Sequence, residues 1–126
     1  MTICHVALWT VRLEELRAFY TTYFGALSGE KYTNPGKGFE SYMLRFEGGA
    51  ALELMRSTHV SARRDGEMLG WCHIALSAGS RERVVELTER LRSDGFVVLG
   101  EPRTTGDGFF ESVVADPDGN RVEITI

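Results

Sequence analysis

Two histidines in this 126-residue sequence sit in near-identical surroundings, "CHVALW" at 4–9 and "CHIALS" at 72–77. Two glutamates are matched in the same way, Glu53 in "LELM" (52–55) and Glu123 in "VEIT" (122–125). Their spacings nearly agree: Glu53 follows His5 by 48 positions (53 − 5), and Glu123 follows His73 by 50 (123 − 73). A single histidine or glutamate on a strand is ordinarily the polar side of an amphipathic segment. Four such groups on one face are another matter, because enclosing them unpaired is costly. A divalent cation removes that cost. Two neutral imidazoles and two carboxylates balance its charge and suit Zn²⁺ or Ni²⁺, with Co²⁺ or Mn²⁺ as alternatives, and they leave positions for water or substrate. His5, Glu53, His73 and Glu123 are therefore the candidate metal ligands.

The elements that must position them occur twice in the same order. "TICHVALWT" (2–10) alternates as a strand, and "RLEELRAFYTTYFG" (12–25) then takes up helical spacing through Leu13, Leu16 and Tyr20, with Gly25 as its stop. A turn-rich passage follows, with one short strand expected around 30–32. "FESYMLRFE" (39–47), the turn at Gly48 and Gly49, and "AALELMR" (50–56) read as a hairpin. After a polar stretch the order restarts with a strand in "GWCHIALSA" (70–78). The helix "SRERVVELTERLRSDG" (80–95) has Ser80 as its cap and Gly95 as its stop, and strands follow at 96–102, 108–117 and 120–126. The expected fold is α+β, one domain of two tandem βαβββ modules, 1–56 and 70–126, joined by a linker at 57–69.

Alternation assigns faces. Cys4, Val6 and Leu8, with Cys72, Ile74 and Leu76, go to the side that a helix covers, which makes both cysteines small core residues. His5, Trp9, Trp71 and His73 lie opposite, as do Glu53 and Glu123. Trp9 and Trp71, with Met55 and Arg121, are the candidate substrate contacts, and the tryptophans suggest a flat or apolar ligand, with core packing as their other reading. Arg45 depends on hairpin register, and a two-residue turn sends it to the helix side. Tyr42 and Phe110 are expected to line the ligand cavity, and His59 to be solvated.

Composition narrows the classes further. An apolar fraction of 43%, a charged fraction of 25% and a net charge of −4 describe an ordinary soluble domain. The acidic balance argues against nucleic acid as a partner. The densest charge cluster, "RERVVELTERLR" (81–92), alternates sign as a solvated helix face does. No apolar run is long enough for a membrane span, no signal-peptide pattern opens the chain, and two cysteines make no disulfide scaffold. The expected setting is the cytoplasm.

With these residues in view, the sequence resembles the vicinal oxygen chelate superfamily, which includes glyoxalase I, bleomycin-resistance proteins, fosfomycin-resistance enzymes, methylmalonyl-CoA epimerase and extradiol dioxygenases. The resemblance rests on the paired modules, the early "HVAL", Phe19 and Tyr20 followed by "FGA", and the ending "DPDGNRVEI" (116–124). It implies open, curled mixed sheets with helices outside and a small-molecule ligand inside. It also implies that the ligand set of glyoxalase I falls on His5, Glu53, His73 and Glu123. Dioxygenases of the superfamily would leave one of these glutamates without a role, and pure drug-binding members usually lack the metal set.

The implied chemistry is that of a lyase or isomerase. The metal chelates two adjacent substrate oxygens, and a carboxylate, Glu53 or Glu123, removes a proton next to a carbonyl. The resemblance further implies a homodimer whose sites draw on both subunits. Short bacterial glyoxalase I carries an arginine and an asparagine for glutathione where this chain has Trp9 and Ser57, so use of that thiol is open. A non-catalytic binder of a small molecule or antibiotic, and an epimerase or transferase on the same metal frame, are the competing readings.

Overall fold

The computed structural model describes residues 1–61, 70–106 and 108–126, and the chain divides into two compact units, Met1–Arg63 and Arg64–Ile126. Each unit is a mixed sheet with one helix against it. In the first, β1 (His5–Trp9) and α1 (Leu13–Phe24) precede the short strands β2 (Leu27–Ser28) and β3 (Tyr32–Asn34), and β4 (Phe39–Arg45) and β5 (Ala51–Ser57) close the unit. The sheet order is β1-β5-β4-β2, with β3 also on β4. The second runs β6 (His73–Ser77), α2 (Arg81–Ser93), β7 (Val98–Thr104), β8 (Phe110–Ala115) and β9 (Arg121–Thr125), in the order β6-β9-β8-β7.

The helices form where the pattern predicts and stop where glycine allows. Gly25 adopts φ 65° and returns its N–H to Tyr20, while Ser80 caps α2 by accepting from the Arg83 N–H. The first helix has no side-chain cap. Buried Thr10 secures its start instead: the Thr10 Oγ1 accepts the Arg12 N–H at 2.8 Å, and the Thr10 N–H reaches the Met55 carbonyl at 2.8 Å. The end of β1, the end of β5 and the start of α1 are thereby fixed to one another.

Leu13, Leu16, Phe19 and Tyr20 of α1 bury against Leu44, Leu52 and Leu54, while Val84, Thr88 and Leu91 of α2 pack with Val114, Val122 and Ile124. Each fully buried leucine in such a seam is worth about 1.5–3 kcal/mol. In the second unit the seam carries a polar contact: Thr88 Oγ1 donates to the Val84 carbonyl at 2.6 Å and shares a 2.7 Å hydrogen bond with Ser112. In the first, Tyr42 sends its hydroxyl to both carboxylate oxygens of Glu14, at 3.2 and 3.1 Å. Among the described residues no helix is long and apolar enough to cross a membrane.

Three expectations need correction. The strand expected around 30–32 is instead two short pieces, β2 and β3, which both pair with β4 and together take the place that the single strand β7 takes beside β8. The β4–β5 hairpin is not closed by a two-residue turn. Leu44 pairs with Leu52 and Met43 with Glu53, one step out of that register, so Arg45 falls on the side away from α1. Cys4 and Cys72 are exposed, not core. Each stands one residue ahead of an edge strand, outside the stretch that the helix covers.

Candidate functional site

Strand pairing brings each histidine to its own glutamate. In the first unit β1 runs parallel to β5 with Ala7 opposite Glu53, so His5 sits diagonally across from the carboxylate on the same face. In the second β6 runs parallel to β9 with Ala75 opposite Glu123, and His73 takes the same diagonal. The outcome is a repeated pair: His5 Nε2 to Glu53 Oε2 at 3.9 Å, and His73 Nε2 to Glu123 Oε2 at 3.5 Å. In both pairs the imidazole is nearly half exposed, and the carboxylate is the more sheltered partner. Ala7 and Ala75, directly opposite the glutamates, are themselves exposed.

These separations suit a divalent ion. Metal–nitrogen and metal–oxygen bonds of about 2.0–2.2 Å at a tetrahedral angle put neighbouring donor atoms about 3.4 Å apart. Both pairs meet that span within about half an ångström. Each unit alone supplies one imidazole and one carboxylate. Among the described residues no three histidine, cysteine, aspartate or glutamate side chains of a unit gather closely enough to hold an ion by themselves. Each pair by itself is therefore a two-donor site.

The surroundings of the two pairs differ. On the face away from α1, the row next to Glu53 reads Trp9, Met55, Ser41 and Tyr32 across β1, β5, β4 and β3. Phe39 lies one step further, with its ring edge-on to Trp9 at 6.1 Å and 6.0 Å from Tyr32. The row next to Glu123 reads Ser77, Thr125, Glu111 and Arg103. Arg121 shares the face of Glu123 and is in register with His73. Trp71 is almost fully exposed and precedes β6, so strand alternation does not assign its face.

Tyr42 and Phe110 do not line this face. Tyr42 is opposite Leu54 on the helix side, with the Arg17 guanidinium over its ring at 4.8 Å, and Phe110 lies under Arg81 at 4.6 Å. Both follow from register: β4 is shifted by one residue, and in β8 Glu111 and Val113, not Phe110, share the face of Glu123. The residues that sequence reasoning passed over here are Phe39, Tyr32, Arg103 and Glu111. The alternation of β4 from Phe39 held the signal for the first. For Arg103, alternation from Val98 gives the face, since the two slips in β7 cancel. His59 is exposed, as expected.

The "DPDGN" stretch is a device that fixes β9. Asp116 is buried, and its Oδ1 accepts from the backbone N–H of Asp118 at 3.0 Å and of Asn120 at 2.8 Å, while Oδ2 accepts from Asn120 Nδ2 at 2.9 Å. An aspartate that caps its own turn in this way sets where the next strand begins. Glu123 follows three positions after that clasp.

Comparison with known proteins agrees with this architecture. The model of the Glyoxalase/Bleomycin resistance protein/Dioxygenase superfamily matches residues 2–124. The chain belongs to that superfamily. Among curated relatives, the glyoxalase-superfamily chain is 26% identical over 123 residues to the uncharacterized protein YqjT of Bacillus subtilis (strain 168), covering 95% of this chain and 94% of that one. Among solved structures, a glyoxalase family protein from Enterococcus faecalis is 25% identical with a TM-score of 0.80, covering 98% of this chain and 96% of that chain. A V278E mutant of glyoxalase I from Zea mays is also 25% identical, with a TM-score of 0.81. There the match covers 98% of this chain but only 44% of the maize chain, so this chain spans less than half of that protein.

Proposed function

We propose that this superfamily member is a divalent-metal-dependent lyase or isomerase of glyoxalase I type, acting on a small substrate with vicinal oxygens. The observation that carries the reading is the repeated His–Glu pair: two strands from separate halves, in the same parallel register, each set an imidazole within 4 Å of a carboxylate. Two such half-sites, brought together in a homodimer, supply His5, Glu53, His73 and Glu123 as ligands for Zn²⁺ or Ni²⁺, with Co²⁺ or Mn²⁺ as alternatives. The likeness to glyoxalase I of maize supports the same reaction class.

When bound, a divalent ion supplies Lewis-acid polarisation of the two substrate oxygens. The chain's own part is the proton. Glu53 and Glu123 are sheltered carboxylates, each opposite an exposed alanine, able to take a proton from carbon on one side of the substrate and to return it on the other. Arg121, in register with His73, is placed to meet negative charge near that pair. The row that includes Trp9, Met55 and Tyr32, backed by Phe39, offers the substrate a flat apolar contact. With Trp9 and Ser57 at the two positions that serve glutathione in short bacterial glyoxalase I, a thiol other than glutathione fits better.

Metal analysis by mass spectrometry, followed by turnover of methylglyoxal with a panel of thiols, tests the proposal. Roughly one divalent ion per chain is expected, as two half-sites per chain require. Turnover should be abolished by chelation and restored by the metal. Glu123→Gln that keeps its metal yet turns over normally would remove Glu123 from the chemistry. Ligand affinity that survives both chelation and His5→Ala would favour a non-catalytic binder instead.

A further inference from the structure

The second unit holds a cation whose placement the reaction outlined above leaves unused. Arg103 lies on β7, where the pairing with β8 slips twice: Val98 faces Val114, Gly100 faces Val113, and Arg103 faces Glu111. Between Gly100 and Arg103, β7 advances three residues while β8 advances two. Taken alone, that extra residue moves Arg103 from opposite Phe110 to opposite Glu111, and with the first slip the two restore the alternation begun at Val98. Arg103 therefore lies on the face of His73 and Glu123, with the strand locally kinked at the slips.

Once there, the side chain is held. Arg103 Nη2 donates to Glu111 Oε1 at 3.4 Å, and Glu111 is nearly buried, with a side chain 11% exposed. The other arm of the guanidinium folds back over Gly100: a methyl group built on that glycine would lie 3.6 Å from Nη1 and 3.5 Å from Val113. Glycine keeps this berth open, since any longer side chain would occupy it. Gly100, Val113 and Glu123 form one row across β7, β8 and β9. Two inter-strand steps separate its ends, so the berth lies about 10 Å across the sheet from Glu123.

A surface ion pair adds little to stability, so stability alone does not account for sheltering Glu111 beside an exposed arginine. Orientation does. Glu111 uses part of one edge of a planar fork that has five N–H donors, and among the described residues no other acceptor engages it. The first unit has a neutral ring, Tyr32, at the corresponding place, and the cation on its face, Arg45, stands in the row of His5 instead.

We propose that Arg103 is a specificity-determining residue that binds a carboxylate of the substrate, about 10 Å from Glu123 and on its face. A carboxylate fits better than a phosphate, because a dianion would lie against Glu111 while a single negative charge is met by the fork. The substrate is then a small acid, with vicinal oxygens at one end and a carboxylate at the other. Only its oxygen end rests on the metal-dependent reading above.

Two measurements test this separately from that reading. The first uses metal-free protein titrated with glutarate and with butyrate, followed at the methyl resonances of Val113. Both acids should give a saturable shift that Arg103→Gln abolishes and Arg103→Lys partly keeps. No saturable shift, or one that persists in Arg103→Gln, overturns the assignment. The second uses nickel-loaded protein, with 2-oxoglutarate compared against 2-oxopentanoate, which lacks the distal carboxylate. The expected preference is about tenfold, the size of one charge-assisted contact. Arg103→Gln should erase it without changing nickel content or affinity for 2-oxopentanoate. Equal affinity of the wild type for the two acids overturns the proposal. A protein that takes up no nickel refutes the paired half-sites, and the glutarate titration alone then decides on Arg103.

Discussion

The two halves of this chain share one His–Glu pair and little else on the faces that carry it. Around His5 and Glu53 the neighbours are Trp9, Met55, Tyr32 and Phe39. Around His73 and Glu123 they are Ser77, Thr125, Glu111 and Arg103. A duplicated fold therefore keeps what depends on backbone register, an imidazole diagonal to a carboxylate across a parallel pair. It lets the next row diverge, because side chains there are not fixed by the pairing. Under the function proposed above, metal binding and substrate choice are then separable.

The sharpest way to break the comparison is to remove one histidine from each half. If the pairs are equivalent half-sites, His5→Ala and His73→Ala should weaken nickel binding equally. Each should lose at least the roughly 10–100-fold that loss of an outer-shell partner costs. Calorimetric titration of both variants reads this directly. A large loss from one and none from the other would mean that the halves are not equivalent.

A second contrast concerns how each half closes its last hairpin. The second closes it with the Asp116 clasp. The first passes through Gly48 and Gly49, where an added methyl would touch nothing, although Gly49 has φ 79° and resists substitution on backbone grounds. Asp116→Ala removes a buried acceptor of three hydrogen bonds and should cost about 2–3 kcal/mol. Gly48→Ala should cost less than about 1 kcal/mol. Urea unfolding of both variants checks the order. Metal affinity of Asp116→Ala, measured below its unfolding range, should also fall, because the clasp sets the start of the strand that carries Glu123.

Much of this was legible in the sequence, and the parts that were not share a cause. That His5 shares a face with Glu53, and His73 with Glu123, could be read because clean alternation fixes a face from residue types alone. The helix stops at Gly25 and Gly95 and the cap at Ser80 could be read because each meets a local backbone requirement. Arg45, Tyr42 and Phe110 all turn on register, and one residue of slip changes the face of every side chain that follows. The cysteines were misread for a related reason: alternation names a side of the strand but does not say where the covering helix ends.

The smallest contrast lies on the helix sides. The seam of the second half depends on Thr88 and Ser112, which do not titrate. That of the first depends on Tyr42, Glu14 and Lys31, which do, with Lys31 Nζ 2.8 Å from Glu14 and 3.4 Å from Glu40. The hydrogen bond from Lys31, aided by that from Tyr42, holds the Glu14 carboxyl below its ordinary range against some desolvation. Its contribution is therefore complete above the usual carboxylate pKa and fades as pH falls through the lowered value. The Lys31 ammonium is raised by the hydrogen bond to Glu14, and the Tyr42 hydroxyl by burial and then by Glu14, so their contributions are complete at neutral pH and fade as pH rises through those raised values. Between neutral pH and the acid side, amide exchange in α1 should accelerate more than in α2. Glu14→Gln should remove the acid-side difference, because an amide still accepts from Tyr42 and Lys31 but does not titrate. An unchanged acid-side acceleration in that variant would mean that something other than this cluster loosens the first helix.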